Sequence, residues 1–478
     1  MPAPLRQAIW VVMLGSAMSM LDTTIVNIAL RALSLDLHAS LAVTQWVLTA
    51  YLLGLAAVTP VAGWAAERFG ARRTYITALS AFSVASALCG LSSSMTELIA
   101  FRALQGAAGG LMIVGQIILM RAAGKANAAR AMSAVGAVMM LSPLAGPVLG
   151  GLLLDTLGWR WIFFVNLVIG MAAVPMAIRC LRPDGPRSAG RLDVTGLVLA
   201  VGGAVAVTYG LAEVGVSGHG PAAIGVSLGA GAVLLAAFAW HASRLEKPLL
   251  DVRLFTRPVF AAATLAMFCL GATVFGSMIL MPLYFQVARH QDAIATGLLL
   301  APQGAGAAIA LVLSARLTDR AGAGRTALLG AAINILATLP LITIGASTSY
   351  VLLCATLVIR GFGFGLSAMP AMTAAFRSID PAKISDATPL LNFLQRVGGS
   401  AGTAVIAVVL QARLSRTASA AGQAHAFAAT FLWALGLTVA AALPVILLAR
   451  HEPAPEPASP AADRRTPLQQ KTIPDDPR

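Results

Sequence analysis

The stretch Gly63-Trp64-Ala65-Ala66-Glu67-Arg68-Phe69-Gly70-Ala71-Arg72-Arg73 returns in altered form as Ala315-Arg316-Leu317-Thr318-Asp319-Arg320-Ala321-Gly322-Ala323-Gly324-Arg325. The shared core is acid–Arg–x–Gly with basic residues just beyond it, and each copy fills a short polar gap after a long apolar run. A loop that recurs in this way marks a repeated structural unit. Membrane transporters are often built from repeated helix bundles with the substrate site between them. Six membrane-spanning helices with short loops take roughly 180–200 residues at a rise of 1.5 Å per residue. The separation between Glu67 and Asp319 leaves room for two spans more. The repeat therefore predicts two six-helix bundles joined by two extra helices.

A helix needs about 20 apolar residues to cross the hydrocarbon layer. Fourteen such runs are found, at 9–30, 45–66, 74–93, 97–120, 131–154, 160–180, 194–213, 221–242, 259–285, 294–316, 327–346, 349–375, 391–411 and 426–449. The expected fold is an all-α polytopic membrane protein. Its N-terminal bundle covers 1–193, two linking helices with their loop cover 194–258, and the C-terminal bundle covers 259–450. The Pro-, Ala- and charge-rich segment 451–478 is expected to be a disordered cytoplasmic tail. The basic residues test the count independently. With both termini in the cytoplasm, Arg68, Arg72 and Arg73, then Arg121, Lys125 and Arg130, then Arg316, Arg320 and Arg325 all fall on the cytoplasmic side. The external gaps hold only Arg31, Arg160, Arg289, Arg413 and Arg416. Cytoplasmic loops carry the excess of Lys and Arg, and a wrong span count would invert that bias partway along the chain. The first run is too long for a cleavable signal peptide and reads as a permanent span.

Composition narrows the function. Charged residues make up 11% of the chain against 58% apolar, where a soluble domain has about one quarter charged; a water-facing surface cannot be built from so few, and lipid is the main solvent. The net charge of +14 is spread over short gaps, unlike the clustered face that binds nucleic acid. Cys89, Cys180, Cys269 and Cys354 are far apart, with no metal-ligand or disulfide spacing, so no metal and no cofactor are expected. No Gly-x4-Gly-Lys-Ser/Thr phosphate loop is present, which argues against ATP as energy source. The gaps are too short for a soluble catalytic domain, and an enzyme is not expected.

Within the first run, Leu21-Asp22-Thr23-Thr24-Ile25-Val26-Asn27-Ile28-Ala29-Leu30 contains the one acid well inside a predicted span. An ionisable group there is costly and is a functional candidate by default. Ser19 and Asp22 share a helix face, as do Thr23 and Asn27, giving a polar stripe toward the bundle interior. Asp22 then either carries a proton or offsets a cationic substrate, or it is a hydrogen-bonded structural acid. In Arg102-Ala103-Leu104-Gln105-Gly106 the arginine and Gln105 point the same way. Arg102 either pairs with Asp22, which lies at similar depth, or snorkels to the external interface. In Ser142-Pro143-Leu144-Ala145-Gly146-Pro147-Val148-Leu149-Gly150-Gly151 two prolines kink the span, and Gly146 and Gly150 admit a neighbouring helix, as a hinge or simply as a packing helix. Tyr284 and Gln286 are candidates to line a substrate cavity, with core packing the other reading. Arg360 begins an imperfect partner of the Arg102 motif, and Arg396 precedes a glycine-rich packing stretch.

Together these motifs resemble the major facilitator superfamily, in its fourteen-span drug:proton antiporter branch, over about residues 9–449. The resemblance implies a secondary active transporter that exports drugs or other amphiphilic or cationic small molecules by proton antiport with alternating access. It implies coupling through Asp22 and proton transfer at Arg102. It makes the Gly63–Arg73 loop and its repeat at Asp319, Arg320 and Gly322 a conformational latch on the cytoplasmic side, with Glu67 where the family has aspartate. Gly63 is expected to permit close helix approach and Gly70 a tight turn. Gly146-Pro147 is the family's mark of antiport. Arg31 stands where the family often has proline, which leaves the end of the first span open. A bacterial inner membrane is implied, and a periplasmic adaptor is left open as a partner. The alternatives are a dedicated metabolite exporter or an importer of the same fold and, more remotely, a membrane enzyme or sensor.

Overall fold

The computed structural model describes residues 3–119, 122, 145–182, 192–213, 221–245, 248–379, 384–417 and 419–451. Among them thirteen helices are long and apolar enough to cross a membrane. They are α1 (Leu5–Asp36), α2 (Leu41–Val58), α3 (Ala71–Leu91), α4 (Met95–Leu119), α6 (Arg160–Cys180), α7 (Val194–Ala212), α8 (Ala222–Arg244), α9 (Pro258–Ala288), α10 (Ala293–Thr318), α11 (Ala323–Thr343), α12 (Tyr350–Arg377), α13 (Ala387–Leu414) and α14 (Ala421–His451). A shorter apolar helix, α5 (Ala145–Leu157), stands where the fifth span is expected. Only its second half is described; Pro143 lies outside the described residues. The protein is a fourteen-helix, multi-pass membrane protein with no strand among the described residues. In lipid every backbone polar group must be satisfied internally, and an apolar helix does so within itself.

Local chemistry sets the helix ends. The Ser94 and Asp292 side chains accept from the backbone N–H of Glu97 and Ala295 and so start α4 and α10. Gly70 and Gly322, the paired glycines of the repeated loop, both adopt positive φ, at 89° and 88°. That conformation favours glycine and lets the chain reverse between one helix and the next. The first span departs from expectation by running on to Asp36. With arginine in place of a helix-breaking proline after Leu30, nothing stops the helix there.

The packing repeats as the sequence does. In the first half α1 packs on α6, α6 on α3, α3 on α4 and α4 on α2; in the second, α9 packs on α14, α14 on α11, α11 on α12 and α12 on α10. A Cβ at Gly106 would collide with the Tyr51 carbonyl, and one at Gly361 with the Gln303 carbonyl. The same glycine contact thus joins α4 to α2 and α12 to α10. The two halves meet along α2 and α13, where α7 also packs, and along α5 and α10. The linking helices α7 and α8 pair with each other. Most of α8 faces outward, which is what lipid rather than protein demands.

Candidate functional site

Among the described residues the densest buried polar cluster lies inside the first six helices. Asp22 of α1 and Arg102 of α4 form an ion pair at 2.6 Å with neither side chain exposed. The Asp22 Oδ2 accepts from Arg102 Nη1, while Oδ1 accepts from Gln105 Nε2 at 2.9 Å and Asn166 Nδ2 at 3.0 Å. Arg102 also donates from Nη1 to Gln105 Oε1 at 2.7 Å and from Nε to the Val47 carbonyl at 3.0 Å. Its guanidinium stacks over the Tyr51 ring, 4.2 Å from the centroid. Ser86 closes the cluster from α3: its hydroxyl accepts from Gln105 and Asn166 and donates to the Phe163 carbonyl. The Cys89 thiol faces Gln105 Oε1 at 3.6 Å. One acid and one base therefore neutralise each other away from water, and the snorkelling alternative for Arg102 is excluded by its complete burial. Taking one partner from such a pair leaves a bare buried charge, at a cost of about 3–5 kcal/mol.

The polar stripe divides in two. Ser19, Thr23 and Asn27 follow one another at i, i+4: Thr23 Oγ1 donates to the Ser19 carbonyl and Asn27 Nδ2 to the Thr23 carbonyl, both at 2.8 Å. Thr23 and Asn27 line a central void together with Tyr51, Arg102 and Phe275. Ser19 lines a larger cleft of about 740 Å³ between the halves, with Thr59, Gln116, Asn392 and Arg396. Asp22 does not share this face, as its spacing from Ser19 had suggested. It turns inward to α4 and α6, because only there do Arg102 and Asn166 offer donors. Ser19 and Tyr51 hydroxyls, 3.2 Å apart, connect the cleft to the cluster. A further cleft of about 720 Å³ holds Thr24, Pro147, Met281, Gln303 and Phe364.

The cleft containing Ser19 lies toward the start of α1 and the end of α14; among the described residues the opposite, far face is held shut by contacts between the halves. Gln286 Nε2 donates to the Ile28 carbonyl at 2.9 Å. The Asp155 carboxylate accepts the backbone N–H groups of Ala293 and Ile294 at the start of α10. A Cβ at Gly151 would collide with the Ala293 carbonyl, and one at Gly297 with the Pro147 carbonyl. On the other side of α5, Gly146 and Gly150 press on Thr24 and Ile25 of α1. Of the two readings open for Tyr284 and Gln286, this conformation shows the packing one. Gln286 is a bridge in the far-face seam. Tyr284 is a core residue, since the π-helical turn Tyr284–Ala288 carries its ring against Phe427 and its hydroxyl to the Gly345 carbonyl at 2.7 Å.

At the repeated loop, Glu67, Arg68 and Arg73 are exposed, and Glu67 makes no ion pair among the described residues. Arg72 donates to the Ile178 carbonyl of α6. Among the described residues no atom stands within 4 Å of a Cβ placed at Gly63. Arg320 is exposed and the Asp319 side chain lies outside what is described. Sequence reasoning missed Asn166, Ser86, Tyr51 and Asp155. Small polar residues on apolar helices carry no distinguishing pattern, although Asn166 follows the aromatic run Trp159–Phe164 at the start of the sixth apolar run.

Comparison with known proteins places this geometry. The multidrug resistance protein B homolog of Mycobacterium tuberculosis is 37% identical over 406 residues, covering 84% of this chain and 75% of that one. The tetracenomycin C resistance and export protein of Streptomyces glaucescens is 31% identical over 408 residues, again 84% and 75%. Among solved structures, a bacterial homolog of the human lysosomal transporter Spinster, inward-facing and unoccupied, superposes with a TM-score of 0.67 at 14% identity, covering 94% of this chain and 98% of that one. A D-xylose-proton symporter gives 0.66 at 14%, over 93% and 97%. At such identities the structures speak for the fold alone. The family model described as Major Facilitator Superfamily matches residues 12–403, and with fold and relatives agreeing, the chain belongs to that superfamily of transporters.

Proposed function

We propose that the protein exports amphiphilic or cationic small molecules, drugs among them, in exchange for protons. The observation that carries this reading is the buried Asp22–Arg102 pair set beside a cleft between the two halves. A group that can change its charge inside the membrane, next to a cleft between two helix bundles, is what ion-coupled transport requires. The relatives named for drug resistance and export support the direction. The face at the start of α1 and the end of α14 is assigned to the cytoplasm on the distribution of basic residues, and the membrane to a bacterial inner membrane on the family resemblance, so this conformation is open inward. A proton arriving from outside neutralises Asp22 and releases Arg102 from its charge partner; substrate and proton then favour different states, as coupling demands. Gly146, Pro147, Gly150 and Gly151 let α5 shift between α1 and α10, and the repeated loops latch the cytoplasmic side when it closes.

The test is dye movement into everted membrane vesicles carrying the protein. Uptake of a cationic dye that needs an imposed proton gradient and collapses with an uncoupler is the expected result. Gradient-independent uptake would sink proton exchange. No uptake across a varied dye panel would favour a dedicated metabolite exporter.

A further inference from the structure

Two arginines in the second half, the buried Arg360 and the half-buried Arg396, have nothing like Asp22 beside them among the described residues. Residues 259–450 contain four acids, Asp292, Asp319, Asp380 and Asp386, and all four fall in gaps between the predicted spans. Arg360 directly precedes the contact glycine Gly361, as Gln105 precedes Gly106, so a cation stands where the first half has a neutral amide. Arg396 projects from α13 into the cleft of about 740 Å³. The Nε atoms of both arginines are buried without a hydrogen-bond partner, and neither arginine has an acid partner among the described residues. The contact on Arg396 is the Phe275 ring, 5.6 Å from centroid to guanidinium carbon. Asp386 directly precedes α13, ten residues before Arg396 and about 15 Å away along the axis. An arginine inside a membrane protein ordinarily pairs or lines a functional path.

We propose that Arg396 is the docking point for an acidic group on the transported molecule: a carboxylate, sulfonate or phenolate joined to an apolar body. This deepens the export reading above and rests on it. Among the described residues Arg396 is the one charged side chain lining the cleft, whose other polar side chains, Ser16, Ser19, Thr59, Gln116 and Asn392, are neutral. Met20, Leu55, Met112 and Ile113 supply apolar wall. Asn392 lies one turn before Arg396 on the same helix face and offers a neutral polar partner beside the guanidinium. A planar guanidinium meets such an acid through two parallel hydrogen bonds. Asp22 attracts no cation into this cleft, because both its oxygens already accept from Arg102, Gln105 and Asn166. Phe275 touches Arg396 on one side and lines the void of Tyr51 and Arg102 on the other, so the acid site and the proton site are neighbours made of different groups.

Three probes on one ring system test this: 1-pyrenebutyrate, its neutral amide, and pyrenebutyltrimethylammonium. Binding is measured on the full chain in lipid nanodiscs, with empty discs subtracted. The unaltered protein is expected to prefer pyrenebutyrate to the amide by about tenfold. Arg396→Gln abolishes that preference while amide binding stays, which also shows that the variant is folded; Arg396→Lys keeps part of it. An unaltered protein that binds the acid no better than the amide overturns the proposal, as does an Arg396→Gln variant that keeps the preference. The export reading fails separately. Arg396-dependent binding with no gradient-driven movement of any probe leaves the acid site standing and removes export. Gradient-driven movement of the ammonium probe without acid preference does the reverse.

Discussion

Asp22 is held by three donors from two helices, and that arrangement fixes what its replacement does. Asp22→Asn keeps the shape and two of the neutral contacts but leaves Arg102 buried without its charge partner. The loss expected is about 3–5 kcal/mol, read as a lowered thermal midpoint in detergent, together with loss of gradient-driven efflux. Adding Arg102→Gln removes the orphaned charge. The double variant Asp22→Asn/Arg102→Gln should therefore recover most of the stability and none of the proton dependence. Recovery of proton-driven efflux in the double variant would show that the pair is structural, and that coupling lies elsewhere. The acid and its arginine are legible in the sequence because charge inside an apolar run has no bland explanation. Asn166 and Ser86 are not, because their worth comes from where α3 and α6 bring them, and an asparagine or serine on such a helix looks the same with or without a carboxylate beside it.

Helix contacts make a sharper distinction among glycines than their spacing does. Gly106 and Gly63 both sit in motifs, yet among the described residues a Cβ at Gly106 meets the Tyr51 carbonyl while one at Gly63 meets nothing. Gly106→Val should drive α4 from α2 and destabilise the protein by about 1–3 kcal/mol. Gly63→Leu should leave the thermal midpoint of this conformation unchanged. If the Gly63 loop closes against another helix later in the cycle, the same variant transports at a small fraction of the normal rate. Normal transport by Gly63→Leu would remove the latch from the mechanism. The fold itself was legible at this level, since fourteen apolar runs and a repeated loop dictate the helix order, and the packing pairs of the first half recur in the second. The run-on of α1 and the π-helical turn at Tyr284 were not. Each depends on a local backbone choice that hydropathy does not register, and the second one decides that Tyr284 enters the core.

The conformation of the whole molecule is the level at which sequence is least informative, because under the proposed exchange mechanism the same residues serve an inward-open and an outward-open arrangement. Here the far face is closed by a small set of contacts: the Gln286 bridge to α1, the Asp155 carboxylate on the first N–H groups of α10, and the glycine seams of α5 and α10. The Asp155 contact is a helix cap supplied by the opposite half, so its strength counts only while the far face is shut. Removing it should shift the balance of states without touching either half's own packing. A carboxylate cap of this kind is worth about 1 kcal/mol, which corresponds to about a fivefold change in the population ratio. The measurement is the rate at which a membrane-impermeant thiol reagent reaches Asn27→Cys from outside. The background has Cys89, Cys180, Cys269 and Cys354 replaced, since Asn27 lines the central void behind the seam. Asp155→Ala is expected to speed that labelling about fivefold and to leave labelling from the cytoplasmic side unchanged or slower. An unchanged external rate would mean that the glycine seams alone hold the far face closed, and would move the search for the external gate from Asp155 to the packing of α5 against α10.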